Sequence, residues 1–386
     1  MIFNESEQIT ALRDMIRKFL EREAPLERVA EWDRQDKMPR EIFDAMADLG
    51  ICGLMVPEEY GGLGVDVVAT MVVVEELARR SISIATIYLM NVCYGSMDIL
   101  AFGSEAQKQE FLPRLAAGEL IFSLGLSEPD VGADLASAKV TARREGEKII
   151  INGTKRWCTG ANMTDYIYAL VRSGEPDARH KNLSFLIIPT DAPGISMSHW
   201  PTMGFHGIAT NDVMFDDVEV GLDAVVGGEE AWNRGWQMLT SAALEAEKLV
   251  CAATALGIAT QAVEDAWQYA QERKQFGKPI CTIQSMRHLL AEVQTQLLAA
   301  RLMAHNAAQL TNANLPCAAQ TSMAKNFVTQ TCVEIVLTCQ RILGAYGYAT
   351  EFPMERYVRD VLCTRILGGS TEIHKNNIAN RLGLPR

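Results

Sequence analysis

The chain lacks the features that mark several large classes of protein. None of its nine cysteines forms a C-x-x-C pair and its six histidines are dispersed, so neither a disulfide framework nor a metal site is indicated. It contains no G-x-G-x-x-G fingerprint and no P-loop string, so the two common nucleotide-binding loops are absent. Cysteines scattered in this way are typical of reduced thiols that pack as small apolar side chains.

Clustered positive charge and long apolar runs are also missing. Lys and Arg number 36 against 48 Asp and Glu, which gives a formal net charge of -12; we therefore expect no nucleic-acid partner. The longest uncharged apolar stretch, Ser81 to Met97, carries Ser, Thr, Asn and Tyr and is a poor membrane span. Residues 1–23 are amphipathic with charges of both signs, unlike a signal or transit peptide. We expect a cytoplasmic protein without a membrane partner.

What is present indicates a globular protein of more than one domain. The 386 residues are 48% hydrophobic and 22% charged, which is ordinary for such proteins. Apolar residues recur at helical spacing in residues 1–120 and again in 229–386. Between them, residues 121–228 contain short segments rich in β-branched and aromatic residues, bounded by turn residues. The pattern predicts a mainly α fold with an inserted β domain.

Individual elements can be assigned within this plan. The predicted strands are 147–153, 166–171, 183–189 and 212–220. The predicted helices are Glu7–Glu23, Arg40–Leu49, Val67–Arg80, Ile82–Phe102, Glu105–Leu115, Trp232–Arg273, Ile283–Leu310, Pro316–Leu343 and Glu372–Leu382.

The string LEAEKLVCAATALGI (244–258) carries the most informative carboxylate. Its apolar stripe at i, i+3, i+4, i+7 and i+8 consists of Leu249, Ala252, Ala253, Leu256 and Gly257. Glu247 lies off that stripe, in line with three small or apolar residues at i+4, i+7 and i+11: Cys251, Thr254 and Ile258.

Two interpretations of Glu247 follow from its position. A carboxylate on an apolar line that faces a cavity is poorly solvated, which raises its pKa toward the range of a general base. A solvated helix carboxylate is the commoner situation for such a string. Glu245 points roughly 200° away on the same wheel, and Lys248 at i+3 can pair with it.

Five strings together resemble those of the acyl-CoA dehydrogenase family of flavoproteins. They occur in the family's order over nearly the whole chain. They are LSEPDVGAD (126–134), NGTKRWCT (152–159), ERKQFGKPI (272–280) with Gln284, QRILGAYGY (340–348), and RD (359–360) followed by GGSTEI (368–373). The resemblance implies an N-terminal helical domain, a middle β-barrel domain and a C-terminal four-helix domain, usually assembled as a homotetramer.

The resemblance also implies FAD as the cofactor, held without a Rossmann fingerprint. Residues expected to line the isoalloxazine ring are Leu126, Ser127, Trp157 and Thr159. Gly132 and Ala133 are also expected to bind the cofactor. Residues expected near the pyrophosphate, ribityl or adenine parts are Arg273, Phe276, Gln284, Ser370 and Glu372, with Gln340 and Gly344 from a partner subunit. Taken singly, Trp157 could equally be a core aromatic and Gly344 a plain turn.

The base of this family occupies two alternative positions. Its commonest members carry a glutamate where this chain has Gly368, which has no side chain to remove a proton. The branch that includes isovaleryl-CoA and long-chain acyl-CoA dehydrogenases carries it on a helix with the string L-D-L-E-R-L-V, which LEAEKLV (244–250) resembles. The resemblance therefore assigns catalysis to Glu247 together with the backbone N–H of Gly368.

The expected chemistry is removal of an α-proton and transfer of a β-hydride to flavin N5. The thioester carbonyl must be polarised by hydrogen bonds aimed at the developing enolate, and the base must lie within about 3 to 3.5 Å of the reacting carbon. Substrate contacts are expected from Ala133, Glu245, Lys248 and Gly369. Lys248 replaces the family's usual arginine, which weakens the expected coenzyme A contacts there.

Three functions are open at this point. The first is an acyl-CoA dehydrogenase that passes electrons to an electron-transfer flavoprotein. The second is an enoyl-CoA reductase, because RILGGSTEI (365–373) is similar to the corresponding string of crotonobetainyl-CoA reductase. The third is a non-catalytic member that binds FAD or acyl-CoA as a scaffold.

Overall fold

The computed structural model describes residues 5–241 and 245–385. They form a helical domain, a β domain and a second helical domain in that order, which confirms the predicted fold class. The labels α1 to α13 and β1 to β11 below follow the chain.

The first domain consists of seven helices and one small hairpin. Its elements are α1 (Glu7–Glu23), α2 (Leu26–Gln35), α3 (Glu41–Ala47), β1 (Met55–Val56), β2 (Gly64–Val65), α4 (Val67–Arg80), α5 (Ile82–Leu89), α6 (Asp98–Phe102) and α7 (Glu105–Ala116). Polar side chains cap the helices: Ser6 accepts a hydrogen bond from the Ile9 N–H at the start of α1, and Asp66 accepts one from the Ala69 N–H at the start of α4. Helix α2 was not predicted.

The helix predicted for Ile82–Phe102 is interrupted. Residues Met90–Met97 between α5 and α6 form a π-helical segment, a local widening that often occurs at functional sites. By length and composition, Ile82–Phe102 is the one described stretch that could cross a membrane, but 78% of its apolar window is buried inside the protein. It is a core element that packs beneath the β domain.

The middle domain is a single seven-stranded sheet. Its strands are β3 (Phe122–Gly125), β4 (Thr141–Glu145), β5 (Lys148–Thr159), β6 (Tyr166–Arg172), β7 (Leu183–Pro189), β8 (Ile195–Trp200) and β9 (Thr210–Gly221). The order is β3-β6-β4-β5-β9-β8, with β7 paired to β6. The four predicted strands are present. Strands β4 and β8 were missed because their residues are largely polar or exposed, and the short β3 was also missed.

The last domain is built on three long helices. Its elements are α8 (Gly235–Leu239), α9 (Glu245–Glu272), β10 (Lys274–Gln275), β11 (Lys278–Pro279), α10 (Gln284–Asn312), α11 (Ala318–Leu343), α12 (Met354–Cys363) and α13 (Thr371–Arg381). Helix α9 packs on α10 and α11 of its own domain and on α4 of the first. Gly257 permits this approach, because a Cβ there would collide with the Glu75 carbonyl oxygen of α4.

The single helix predicted for Trp232–Arg273 is wrong at its start. Trp232 follows a 3-10 turn, and Asn233 has a left-handed φ of +67°, which ends any helical run before the short α8. Leu244, the first residue of the informative string, lies outside the described residues. Helix α12 was not predicted.

Candidate active site

Both lines of apolar residues on α9 are buried. Leu249, Ala252 and Leu256 of the predicted stripe are inaccessible, and so, to within 3%, are Cys251, Thr254 and Ile258 of the second line. A helix that is apolar around its circumference belongs in a protein interior. Glu247 is carried on the second line and is only partly accessible.

The Glu247 carboxylate has no bonded partner among the described residues, since none of them forms a hydrogen bond or ion pair with it. Removal from water raises the pKa of Glu247 to about 7, and the charges of Lys248 and Lys325 only partly offset this. The groups that interact electrostatically with Glu247 also include Cys93, Tyr94 and Asp98 of the π-helical region and Cys251 of α9. An unbonded carboxylate with a pKa near neutrality has the properties of a general base.

Unlike Glu247, the Glu245 carboxylate is paired with other side chains, in keeping with its predicted direction on the helix. The Lys248 Nζ lies 2.7 Å from its Oε2, and the Thr321 hydroxyl also donates to that oxygen. Lys248 additionally approaches the Ser322 Oγ at 3.3 Å. The predicted pairing is confirmed, and the assignment of both residues to substrate binding stays a prediction.

The structure brings Gly368 next to the helix that carries Glu247. Gly368 and Gly369 have left-handed φ angles of +62° and +86°, a region that favours glycine. A Cβ on Gly368 would lie 2.8 Å from the Sγ of Cys251, one helical turn beyond Glu247. A side chain at position 368 therefore meets both backbone strain and the Cys251 thiol, whereas Glu247 lies on the neighbouring helix.

The residues predicted for the flavin ring are also brought together. Leu126 and Ser127 follow β3, and Trp157 and Thr159 lie on β5. The Arg156 N–H donates to the Ser127 carbonyl at 2.8 Å, and the Ser123 hydroxyl donates to the Thr159 carbonyl at 2.9 Å. Gly132 and Ala133 are exposed in the turn beyond Ser127.

Trp157 has the conformation expected of a residue that meets a flat ligand. The pairing of β5 with β9 shifts register between Lys155 and Cys158, and within this bulge Trp157 has a φ of +62° and is 53% exposed. A left-handed φ at a tryptophan raises the conformational free energy by about 1–2 kcal/mol. Bulges commonly redirect a side chain at a functional site. Arg156 supports the position, because it pairs with Asp212 at 2.8 Å and stacks on Trp200. These residues fit an isoalloxazine ring.

A second group of predicted flavin residues lies at the far end of α9. Arg273 is about 39 Å along the helix axis from Glu247, at 1.5 Å per residue, and its guanidinium lies 5.4 Å from the ring of Tyr346. Phe276 is 91% exposed at the tip of the β10–β11 hairpin, and Gln284 is exposed at the start of α10. Gly344 ends α11 beside Tyr346 with a φ of +60°. One chain alone does not bring this group to Glu247.

Gln340 does not have the motif's spacing from that glycine. The motif Q-x-x-G places its glutamine three residues before glycine, whereas Gln340 precedes Gly344 by four; the exposed Arg341 holds the third position. At the start of α13, the Ser370 hydroxyl caps the helix by accepting from the Ile373 N–H at 3.4 Å, and Glu372 is exposed.

Sequence reasoning missed three buried polar residues around Glu247 and the Gly368 turn. They are Asp98, Lys325 and His374. Burial, followed by the charge of Glu247, raises the pKa of Asp98 well above its usual range. A signal existed for Lys325, since it interrupts an apolar helical line that continues through Val328 and Cys332. Tyr88 is a core residue whose hydroxyl donates to the Ile51 carbonyl.

Comparison with known proteins identifies the family. Models of the acyl-CoA dehydrogenase N-terminal, middle and C-terminal domains match residues 6–119, 123–218 and 233–383. An acyl-CoA dehydrogenase of Bacillus subtilis (strain 168) is 34% identical over 96% of this chain and 97% of its own length. A 3-(aryl)acrylate reductase of Clostridium sporogenes is 34% identical over 99% and 100% of the two chains.

Comparison with solved structures points to the same family. Butyryl-CoA dehydrogenase from Megasphaera elsdenii superposes with a TM-score of 0.93 at 28% identity, over 99% of this chain and 100% of that one. The family consists of oxidoreductases that use FAD, which fits the Trp157 site described above. The chain belongs to the acyl-CoA dehydrogenase family.

Proposed function

We propose that the protein dehydrogenates an acyl-CoA thioester to the trans-2-enoyl-CoA, with Glu247 as the base that removes the α-proton. The observation that carries this proposal is the unbonded Glu247 carboxylate, with a pKa of about 7, beside a glycine turn that has no carboxylate of its own. FAD, when bound, supplies the acceptor for the β-hydride.

The chain's own residues divide the remaining work. Burial raises the pKa of Glu247 to about 7, and among the described residues the carboxylate has no salt bridge to lose before it takes up a proton. The Gly368 N–H would donate to the thioester carbonyl, with the substrate lying between the glycine turn and the wall that would hold the flavin. Trp157 and the Ser127–Thr159 region fix that wall.

The distant group around Arg273 supports an oligomer. Because Arg273, Phe276 and Gly344 lie at the far end of α9, they would contact a flavin held by a neighbouring subunit, as in a homotetramer. Arg273→Ala should weaken FAD retention without changing the flavin spectrum of the molecules that stay loaded. Unchanged FAD affinity, or a monomer that retains full activity, would reject this assembly.

The dehydrogenase proposal is tested by anaerobic mixing of the holoenzyme with a panel of acyl-CoAs of different length and branching. We expect bleaching of the flavin absorbance by at least one of them. Glu247→Gln should slow bleaching by roughly 10²–10⁴-fold with FAD still bound. The matched control is Glu264→Gln, which removes an exposed carboxylate from the same helix and should leave the rate unchanged. Equal rates for both variants would show that Glu247 has no catalytic role.

A second candidate is the reverse reaction, reduction of an enoyl-CoA. The 34% identity with 3-(aryl)acrylate reductase supports it, and Glu247 would then deliver a proton to Cα. Steady-state rates distinguish the two directions when enoyl-CoA plus a reduced donor is compared with acyl-CoA plus an electron-transfer flavoprotein, the acceptor that we propose for the forward reaction. The physiological direction is the one that sustains turnover with its partner.

A further inference from the structure

The two carbonyl groups of the Gly368–Gly369 turn are both held by buried side chains. His374 Nε2 lies 2.9 Å from the Gly368 carbonyl oxygen. Lys325 Nζ lies 2.7 Å from the Thr364 carbonyl oxygen and 3.3 Å from that of Gly369. His374 is 2% exposed and Lys325 is 1% exposed, so water does not compete for these bonds.

The bond to Gly368 fixes the tautomer of His374. A carbonyl oxygen can only accept, so Nε2 carries the proton and the neutral ring leaves Nδ1 as an acceptor. Nδ1 is buried and has no hydrogen-bond partner in the part of the chain that the structure describes. The ring also packs against the turn, because a Cβ on Gly369 would lie 3.0 Å from Nε2.

Burial of the Lys325 ammonium group is energetically unfavourable, which argues that this side chain does more than fill space. Burying an ammonium group is unfavourable unless hydrogen bonds replace water. Among the described residues, the Lys325 ammonium group donates to two carbonyl oxygens and not to a carboxylate. One of those carbonyls belongs to the C-cap residue of α12 and the other to the glycine turn. Lys325 therefore joins α11 to the segment that leads from α12 into the turn.

Holding a carbonyl also determines where an amide points. The peptide group is planar and trans, so a fixed Gly368 carbonyl fixes the Gly369 N–H in the opposite direction, and a fixed Gly369 carbonyl does the same for Ser370. Glycines with open φ and ψ would otherwise allow these planes to rotate. On its other side the turn contacts Cys251 of the helix that bears Glu247, and Gly369 is exposed.

We propose that His374 and Lys325 are positioning residues for the Gly368 N–H, the donor expected to face the thioester carbonyl. Their bonds to the Thr364 carbonyl before Gly368, and to the Gly368 and Gly369 carbonyls after that N–H, hold the segment that carries it. This inference rests on the proposed acyl-CoA chemistry and adds to it the residues that keep the polarising site rigid. The two side chains act through the backbone and do not themselves touch the reacting atoms. A misplacement of about 1 Å in such a site can reduce the rate about a hundredfold.

The test separates positioning from plain structural support. Three variants are compared as FAD-loaded holoenzyme: His374→Gln, which keeps an N–H donor at similar reach; His374→Leu, which removes it; and Lys325→Met, which removes the ammonium but keeps much of the volume. The control is His305→Gln, since His305 is equally buried but lies on α10 outside the site. The readouts are kcat and KM, and the infrared carbonyl frequency of a bound [1-¹³C]enoyl-CoA.

We expect His374→Leu and Lys325→Met to lower kcat about tenfold to a hundredfold with KM changed less than about threefold. The bound carbonyl band should move from its polarised, low frequency toward that of the free ligand. His374→Gln should retain most of the wild-type rate and band position, and His305→Gln should change neither. If His374→Leu does not fold, His374→Asn, whose amide is too short to reach, serves in its place.

A loss of kcat with an unshifted carbonyl band would overturn the inference, as would a loss shared by His305→Gln. These failures differ from failure of the proposed function. If Glu247→Gln stays fully active, the base assignment is wrong but the band still reports the turn. If Glu247→Gln is inactive and the band is insensitive to His374 and Lys325, only the inference drawn from them is wrong.

Discussion

Two glutamates on packed helices have opposite surroundings. Glu75 of α4 is 1% exposed and receives Arg13 at 2.8 Å and Arg301 at 2.7 Å. Burial alone would raise its pKa, but the charges of Arg301 and Arg13 lower the pKa of Glu75 to about 2. Glu247 of α9 has two lysines nearby, yet both are bonded to other groups, and its pKa is about 7.

The difference shows that two shielded carboxylates in one fold can have very different pKa values. Glu75 joins α1, α4 and α10 through its two arginines, so its charge is needed whenever the protein is folded. Glu247 has no bonded partner within residues 5–241 and 245–385, which is unfavourable for stability and would be useful for proton transfer. Burial acts to raise the pKa of both carboxylates. Glu75 and Glu247 differ in whether the neighbouring cations are free to bond them.

The largest expected effect on stability comes from neutralising the paired carboxylate. Glu75→Gln removes the buried carboxylate that Arg301 pairs with and one of the two buried carboxylates that Arg13 pairs with, the other being Glu76. It should lower the free energy of unfolding by about 3–5 kcal/mol. Glu247→Gln removes an unbonded carboxylate, so it should not lower stability and should raise it above pH 7. Urea unfolding at pH 8 measures both. Equal destabilisation by the two variants would remove the distinction between them.

The same pair should respond to pH in opposite directions. Glu75 has a pKa below its unfolded value, so its contribution to stability is present above about pH 4.5 and is lost as pH falls toward 2. Glu247 has a pKa above its unfolded value, so its charge costs stability as pH rises from about 4.5 through 7.

Unlike stability, which depends on both glutamates, the pH dependence of kcat/KM should follow the titration of Glu247 alone. Because the base must be deprotonated, kcat/KM should fall about tenfold per pH unit below about pH 7 and level off above it. The groups that face Glu247 and shape this limb are Asp98, Cys93, Tyr94, Cys251, Lys248 and Lys325. A limb centred near pH 4.5 would mean that the carboxylate is solvated and that the contrast with Glu75 is wrong.

The smallest effect on stability is expected from a side chain added at position 368, which the left-handed φ and the Cys251 thiol disfavour. Gly368→Ala should cost about 1–3 kcal/mol, from the left-handed φ and the contact with Cys251. Adding Cys251→Ala should relieve the steric part only, which gives a coupling energy of about 0.5–1.5 kcal/mol in a double-mutant cycle. Strict additivity would show that the Cys251 thiol does not restrict position 368.

Local patterns predicted the large elements well and the irregular ones poorly. The bounds of α1 and α4 follow from apolar spacing and polar caps, both of which are short-range. The π-helical segment at Met90–Met97 and the break near Asn233 depend on packing across domains, which a single string does not encode. The exposed strand β8 has no buried face that would give it a strong alternating signal.

The site was predictable only in part for the same reason. The pattern around Glu247 placed it on a small, apolar line, and the resemblance to a family singled it out from a solvated carboxylate. The Glu247 carboxylate lacks a bonded cation because Lys248 and Lys325 bond other groups. Those bonds depend on how α11 and the segment that leads into the glycine turn pack near α9. His374 gave no signal, because nothing in GGSTEIH (368–374) shows that its ring folds back onto the Gly368 carbonyl.

The most direct test of Glu247 as the base follows the α-proton itself. The holoenzyme is incubated anaerobically in H₂O with an acyl-CoA deuterated at Cα, and loss of deuterium is followed by mass spectrometry. We expect washout by the wild-type protein and by Glu264→Gln, and none above background by Glu247→Gln with FAD bound. Washout by Glu247→Gln at the wild-type rate would contradict the assignment of Glu247 as the base.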